Sequence, residues 1–246
     1  RLWLVRHGES AGNVARKAAE ESGVSMIDIA DRDMDVPLST LGQKQARALG
    51  RWFGRKTEAE RPTVVLVSPY ARAMQTASLV TRESKLDSAL LHVVDERLRE
   101  KEFGLFHRLT KAGIRANFPH EAELRDHVGK FYYRPPGGES WCDVILRLRS
   151  VLDTIQLQHR GERVLLVAHE VVVLCMRYLV ERMTEKDILT IDSAGDVANC
   201  SVTDYEFERD ENGRGAMALR CYNHVAPLEE AGEKVTAEPD APAAPR

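Results

Sequence analysis

Apolar residues in this chain gather into a few short unbroken runs and several longer stretches with helical spacing. Leu2-Trp3-Leu4-Val5 is the first run, and it ends abruptly at Arg6-His7-Gly8. Thr63 to Val67 and Val164 to Val167 repeat the pattern, leading into Ser68-Pro69 and Ala168-His169. Four or five consecutive β-branched or large apolar residues, without polar alternation, suit a strand covered on both faces. After the second run, Ser68 is a favourable helix N-cap with Pro69 at the first helical position. After the third, the apolar stretch from Val171 reads as helix. Three strand-then-helix units predict an α/β fold: a single domain with a mostly parallel central sheet and helices on both faces.

The segments between these units fit the same plan. Leu41, Ala46, Leu49 and Phe53 fall on one helical face behind a Thr40–Gln43 capping pair, which predicts a covering helix. Val144, Ile145, Leu148, Val151, Leu152 and Ile155 predict a second one. Near the end, SVTDYEF and AMALRCY flank a stretch containing Asn212-Gly213, the signature of an antiparallel hairpin at one edge of the sheet. Residues 101–140 break the pattern: they are basic, aromatic and interrupted by Gly113, Pro119, Gly129 and Pro135-Pro136, as a lid or wall over a site would be. From residue 227 the chain is rich in Pro, Ala and Glu and has little to bury. The expected organisation is one domain over residues 1–226 and a disordered tail over 227–246.

Composition narrows the choice of partner more than the choice of fold. A net charge of −3 supplies no field for nucleic acid or an anionic membrane, so neither is expected as a partner and any anion site must be local. No apolar run reaches the roughly 18 residues of a membrane span. Cys142, Cys175, Cys200 and Cys221 contain no C-x-x-C pair, which signals neither a zinc site nor a redox pair and fits reduced thiols in the cytoplasm.

Each of the three predicted strands ends beside a cationic or ionisable group: Arg6 and His7, Arg72, and His169. If the strands are neighbours, these groups converge where open α/β sheets bind ligands. Two guanidiniums present forks matched to phosphate oxygens, and a neutral imidazole beside them is a competent nucleophile. Transfer of a phosphoryl group to it leaves an alkoxide that needs a proton, so a carboxylic acid is required nearby. Glu9, Glu100, Glu102, Glu139 and Glu170 are the candidates.

RHGES with Asn13 three residues on, PLSTLGQKQARALG, SPYARAMQTA, RLREKEFGLF, GGES and VAHE follow one another over about residues 1–207. In that order they resemble the histidine phosphatase superfamily, in its phosphoglycerate mutase-like branch. The resemblance implies that His7 is the residue phosphorylated and that Arg6, Arg72 and His169 line the phosphate pocket, with Asn13 as a further polar contact. It implies Glu100 as proton donor and acceptor, and neither metal nor cofactor. The implied activity is hydrolysis of a small phosphorylated metabolite, with phosphoglycerate mutase and a catalytically silent phospho-ligand-binding module as the alternatives. Two departures stand out. Glu170 follows His169 where glycine is usual, and either narrows the pocket or simply suits the first turn of a helix. Glu102 occupies a position that is basic in the mutases, which favours a phosphatase by like-charge repulsion of a doubly phosphorylated cofactor. Arg99, Lys101, Arg108, Lys111, Arg115 and Arg134 are expected to make the lid basic and the substrate acidic.

Overall fold

Side chains along a strand alternate between the two faces of a sheet, so an unbroken apolar run must be covered twice. The computed structural model describes residues 1–86, 90–209, 211–213 and 215–239. In chain order its elements are β1 (Leu2–Arg6), α1 (Ala11–Glu21), α2 (Thr40–Gly54), β2 (Val64–Val67), α3 (Ala71–Glu83), β3 (Leu91–Val94), α4 (Lys111–Asn117) and α5 (Pro119–Val128). There follow α6 (Trp141–Gln158), β4 (Val164–Ala168), α7 (Glu170–Val180), α8 (Glu185–Ala194), β5 (Val202–Arg209), β6 (Gly215–His224) and α9 (Ala226–Glu229). The six strands form one sheet in the order β3-β2-β4-β1-β5-β6. The first four run parallel to one another, and β5 is antiparallel both to β1 and to β6, with which it forms the hairpin that the sequence predicts at one edge.

Both faces are covered. Leu2, Leu4, Val64, Leu66, Val164 and Leu166 pack against α6 and α7 through Val144, Leu148, Val151 and Val172. The alternate residues Trp3, Val5, Val65, Val67, Leu165 and Val167 pack against α2 and α3 through Ala46, Leu49, Phe53, Ala77 and Val80. Each fully buried large apolar side chain contributes about 1.5–3 kcal/mol, so this double layer holds β1, β4 and β2 side by side. The register pairs Arg6 with Ala168 and Val67 with Val167, which brings the three carboxyl ends level.

Four expectations change in detail. β3 was not signalled by the sequence: it is an edge strand with Leu91 and Val94 half exposed, and it lacks the continuous burial that marks the others. Helix α2 is capped by Ser39, whose Oγ accepts from the Gly42 amide at 3.0 Å, one residue before the expected capping pair. Helix α3 begins at Ala71 with Tyr70 at the N-cap; the Ser68 hydroxyl accepts from the Tyr70 amide at 3.3 Å just before the helix and also bonds His169 Nε2 at 2.8 Å. The disordered tail is corrected over residues 227–239. Pro227 and Leu228 are buried, Leu228 completely, in the layer formed by α2 and α3. Beyond them the backbone is tied down: Gln45 Nε2 donates to the Lys234 carbonyl at 2.9 Å, and the Asn199 amide to the Thr236 carbonyl at 2.8 Å. Composition underrated this segment because main-chain carbonyls and one leucine hold it. Residues 240–246 lie outside the described residues.

Candidate active site

The site lies at the carboxyl ends of β1, β2 and β4. His7 extends the β1–β4 ladder by one bond, its amide donating to the Ala168 carbonyl at 2.9 Å. The chain then turns at Gly8, where the backbone passes against α2: a Cβ on Gly8 would sit 2.5 Å from the Gly42 carbonyl oxygen, and one on Gly42 would sit 2.0 Å from that of Glu9. Only glycine fits at either position. The Gly8 amide is held by Thr76 Oγ1 at 3.1 Å and the His7 carbonyl by Asn199 Nδ2 at 3.1 Å. The nucleophile candidate therefore sits on backbone fixed from both sides.

Arg72 reaches from the first turn of α3 and donates from Nε to His7 Nε2 at 3.2 Å. On the other side of the ring, His7 Nδ1 lies 2.7 Å from the Gly8 carbonyl. An arginine can only donate, so the Nε2 it faces carries a lone pair, and the proton of a neutral ring belongs on Nδ1. His169 packs edge-on against His7 with ring centroids 5.2 Å apart, and its Nε2 is 2.8 Å from Ser68 Oγ. Tyr70 packs on the far side of His169 at 5.1 Å, and burial together with Asp33 and Glu102 pushes its hydroxyl up to about 12. It stays a neutral phenol across the physiological range.

Arg6 is fully buried. Its Nη1 donates to the Val197 carbonyl at 2.5 Å and stands 4.0 Å from the Glu170 carboxylate, while Nη2 donates to the Glu238 carbonyl. Asn13 divides its amide: Oδ1 accepts from the Ser10 amide at 2.9 Å and closes the N-terminal box of α1, and Nδ2 points away from the helix to the Glu238 carbonyl at 3.0 Å. The helix-cap reading of Asn13 is met, and its Nδ2 is left to donate outside the helix. The six residues singled out from sequence are thus all buried, and five of them fall into one connected group around His7. Glu100 is 1% exposed, its Oε1 accepting from the Lys101 amide at 2.7 Å, and its charge is felt by Tyr70.

The other carboxylates have separate tasks. Glu9 accepts from Ser39 Oγ at 2.6 Å and ties the loop after β1 to α2. Glu139 is clamped by Arg99 at 2.7 Å and Arg147 at 3.0 Å; burial alone would raise its carboxyl, but Arg147 and the other donors hold it below the ordinary value. Glu102 is exposed, accepts from the Gly104 amide at 3.1 Å and lines neither cavity described below, but its charge is felt by Tyr70 beside His169. Glu170 begins α7, and its Oε1 also accepts from the Val197 amide at 3.2 Å. It occupies the first turn of the helix, stands beside Arg6 and lines the larger of the two cavities described next.

Two cavities flank the group. One of about 40 Å³ is lined by Asn13, Asp33, Arg72 and Arg108. The other, about 110 Å³, is lined by Lys101, Arg115, Arg125, Trp141 and Glu170, and Phe103 borders both. The lid expectation is met in part. Lys101, Lys111, Arg115 and Arg108 face cavities. Arg99 and Arg134 instead pair with Glu139 and Asp143. Burial lowers Lys101 to about 8, and its Nζ lies over the Phe103 ring at 4.2 Å; burial likewise lowers Arg125.

Sequence reasoning missed several supports. Asp33 holds Arg72 through both its carbonyl, at 2.6 Å, and its carboxylate, at 3.0 Å. Ser68, Tyr70, Thr76 and Asn199 were likewise not assigned to the site. Ser68 carried a signal, a hydroxyl at a strand end level with the other two, but it also fitted a helix cap.

Comparison with known proteins places these residues in context. The profile of the histidine phosphatase superfamily (branch 1) matches residues 2–217. A probable fructose-2,6-bisphosphatase of Schizosaccharomyces pombe is 33% identical over 175 residues, covering 71% of this chain and 36% of that protein. A 6-phosphofructo-2-kinase/fructose-2,6-bisphosphatase of Rattus norvegicus is 30% identical over 186 residues, 75% of this chain and 28% of that protein. The chain thus spans about a third of the length of these curated relatives. Among solved structures, a mycobacterial glucosyl-3-phosphoglycerate phosphatase bound to VO3 superposes with a TM-score of 0.68 at 26% identity, covering 91% of this chain and 98% of that one. Bacillus stearothermophilus YhfR superposes with a TM-score of 0.65 at 29% identity, over 89% and 95%.

Proposed function

The chain belongs to the histidine phosphatase superfamily (branch 1), and from that premise we propose that it is a phosphomonoesterase working through a phosphohistidine on His7. The observation that carries the reading is the bond from Arg72 Nε to His7 Nε2 at 3.2 Å. It marks Nε2 as the nitrogen with a lone pair, and it places a guanidinium where the oxygens of an incoming phosphoryl group would lie. Arg6, Asn13, Arg72 and His169 bind those oxygens. Their role is positioning and charge stabilisation, because a loose phosphoryl-transfer transition state spreads its charge over the equatorial oxygens.

In the first step His7 Nε2 attacks phosphorus, the P–O bond to the leaving alcohol breaks, and Glu100 gives its proton to the departing oxygen. In the second, water attacks phosphorus, its proton passes to the Glu100 carboxylate, and the P–N bond breaks to release phosphate and restore His7. The choice of Glu100 is supported by elimination: Glu9 is taken up by Ser39 in the loop after β1, Glu139 is held as an anion by its arginine partners, Glu102 faces solvent, and Glu170 lies beside Arg6.

The leaving group occupies the larger cavity. Its lining mixes cations such as Lys101, Arg115 and Arg125 with carboxylates such as Glu121, Asp126 and Asp192, beside Trp141 and Phe103, which suits a small sugar-type or sugar-acid ester offering both hydroxyls and an anionic group. The names of the relatives, a fructose-2,6-bisphosphatase and a glucosyl-3-phosphoglycerate phosphatase, support this substrate class. A cytoplasmic location belongs to the same reading and is supported by four free thiols. Among the described residues no helix is long and apolar enough to cross a membrane.

The test is to mix the protein with a ³²P-labelled phosphomonoester and quench. Acid-labile, base-stable label should appear on the protein and be absent from His7→Ala. Steady release of phosphate without an isomerised phosphoglycerate separates phosphatase from mutase. A chain that never labels would be a binding module.

A further inference from the structure

We propose that the C-terminal segment Thr236–Pro239 is an intramolecular inhibitor, which occupies the oxygen-binding donors of the phosphate pocket and must leave before substrate enters. The inference rests on the assignment of Arg6 and Asn13 as phosphate-binding residues. One atom carries the argument. The Glu238 carbonyl oxygen accepts from Arg6 Nη2 and from Asn13 Nδ2 at 3.0 Å, and Asn13 Nδ2 also lies 3.5 Å from the Pro239 carbonyl. Arg6 ends β1 and Asn13 sits in the first turn of α1, so two elements aim donors at one partly negative oxygen. That is the arrangement a phosphoryl oxygen would receive.

The segment is delivered there by a defined tether. Leu228 anchors α9 in the core, Gln45 Nε2 binds the Lys234 carbonyl at 2.9 Å and Thr236 Oγ1 at 3.0 Å, and Thr236 Oγ1 donates to Asn199 Oδ1 at 2.9 Å. Asn199 is the residue that also holds the His7 carbonyl. The Glu238 side chain pairs with Lys17 on α1 at 2.6 Å, and Pro239 forms part of the wall of the larger cavity. Arg6, His7 and His169 are each 0% exposed, so a substrate reaches them only after something moves.

The hold is suited to release. Beyond Leu228 the bonds are almost all polar, and the Lys17–Glu238 pair is partly exposed and therefore weakened by salt. A phosphate dianion offers Arg6 and Asn13 charge-assisted bonds that are stronger than those of a neutral carbonyl. Substrate and segment compete for the same donors.

The experiment compares the 246-residue chain with a variant ending at Thr236, which keeps α9 and every Thr236 bond. KM for p-nitrophenyl phosphate and the dissociation constant of inorganic phosphate are measured for both. In the shortened variant both constants should fall about tenfold, with kcat within about twofold. A synthetic peptide of residues 236–246 should restore the higher KM competitively. An unchanged or raised KM in a variant that melts like the parent overturns the proposal. Lys17→Glu in the full chain provides a second variant, which should lower KM about two- to threefold by repelling Glu238; no change in both variants overturns it as well. Failure of the functional reading looks different. If neither chain hydrolyses any ester but the shortened one binds phosphate more tightly, the inhibitor stands and the phosphatase falls. If both hydrolyse with the same KM, the reverse holds.

Discussion

Arg72 is the residue on which the geometry concentrates most. It donates to His7 Nε2, the proposed nucleophile, lies over the Tyr70 ring and is itself held by Asp33. A guanidinium pre-positioned in this way costs no reorganisation when charge develops on phosphorus. Arg72→Ala should remove about 2–4 kcal/mol of transition-state stabilisation, or about 10²–10³ in kcat/KM for p-nitrophenyl phosphate. A loss below about fivefold would place the guanidinium off the reaction path. Glu100 calls for a different measurement, because its proton matters only to a poor leaving group. Glu100→Gln should slow an alkyl phosphate far more than p-nitrophenyl phosphate, whose phenolate departs unaided. Equal damage to both esters would argue against the role.

At the scale of elements, local sequence was informative wherever burial was continuous. β1, β2 and β4 were legible because both of their faces meet helices, and the residues at their ends could be named as a consequence. β3 was not, because an edge strand with one wet face carries no such run. The start of α3 is displaced where one side chain has both a local and a distant partner. Ser68 has the chemistry of a cap, yet its hydroxyl serves His169, a partner 101 residues away that no local pattern contains. Asp33 was invisible for the same reason, its partner Arg72 being 39 residues on. Where the cap is local, it reads directly and can be tested. Ser140 and Asp143 close a box at the start of α6, with the Ser140 amide and hydroxyl on the Asp143 carboxylate at 2.8 and 2.7 Å. Burial alone would raise that carboxyl, but Arg134 and Ser140 hold it down to about 2. A carboxyl whose folded value is depressed stabilises fully above its unfolded value near 3.8, and the contribution fades as pH falls toward 2. Asp143→Asn should therefore cost about 1 kcal/mol at pH 7 in denaturant melts, and the gap to the parent should narrow as pH falls below about 4 and close near pH 2. A gap independent of pH would mean that the box, and not the charge, accounts for the loss.

At the scale of the whole molecule, the site and the stability of the fold pull against each other, and Lys101 is where the conflict is sharpest. The residue lies next to Glu100, lines the larger cavity and is 7% exposed. Burial lowers its ammonium from 10.5 to about 8, a penalty on the charged form on the order of 3 kcal/mol. The unfolded chain keeps this proton up to about pH 10.5 and the folded chain only to about pH 8. Between those values the unfolded state binds more protons, so the folded state gains stability as pH rises through the window, and the penalty is complete below it. A fold selected for stability alone would place an apolar side chain there; Glu100 and Glu139 offset part of the penalty, and a substrate anion in the cavity would offset more of it. Lys101→Met should accordingly raise the melting temperature at pH 7 by several degrees. The same change should raise KM for a phosphate ester with a second anionic group, while KM for p-nitrophenyl phosphate, which has none, moves little. In the parent, KM for the doubly anionic ester should climb above pH 8 as the ammonium loses its proton, and the variant should lack this limb. A variant that is more stable and shows unchanged KM for both esters would leave the cavity without a ligand of this charge.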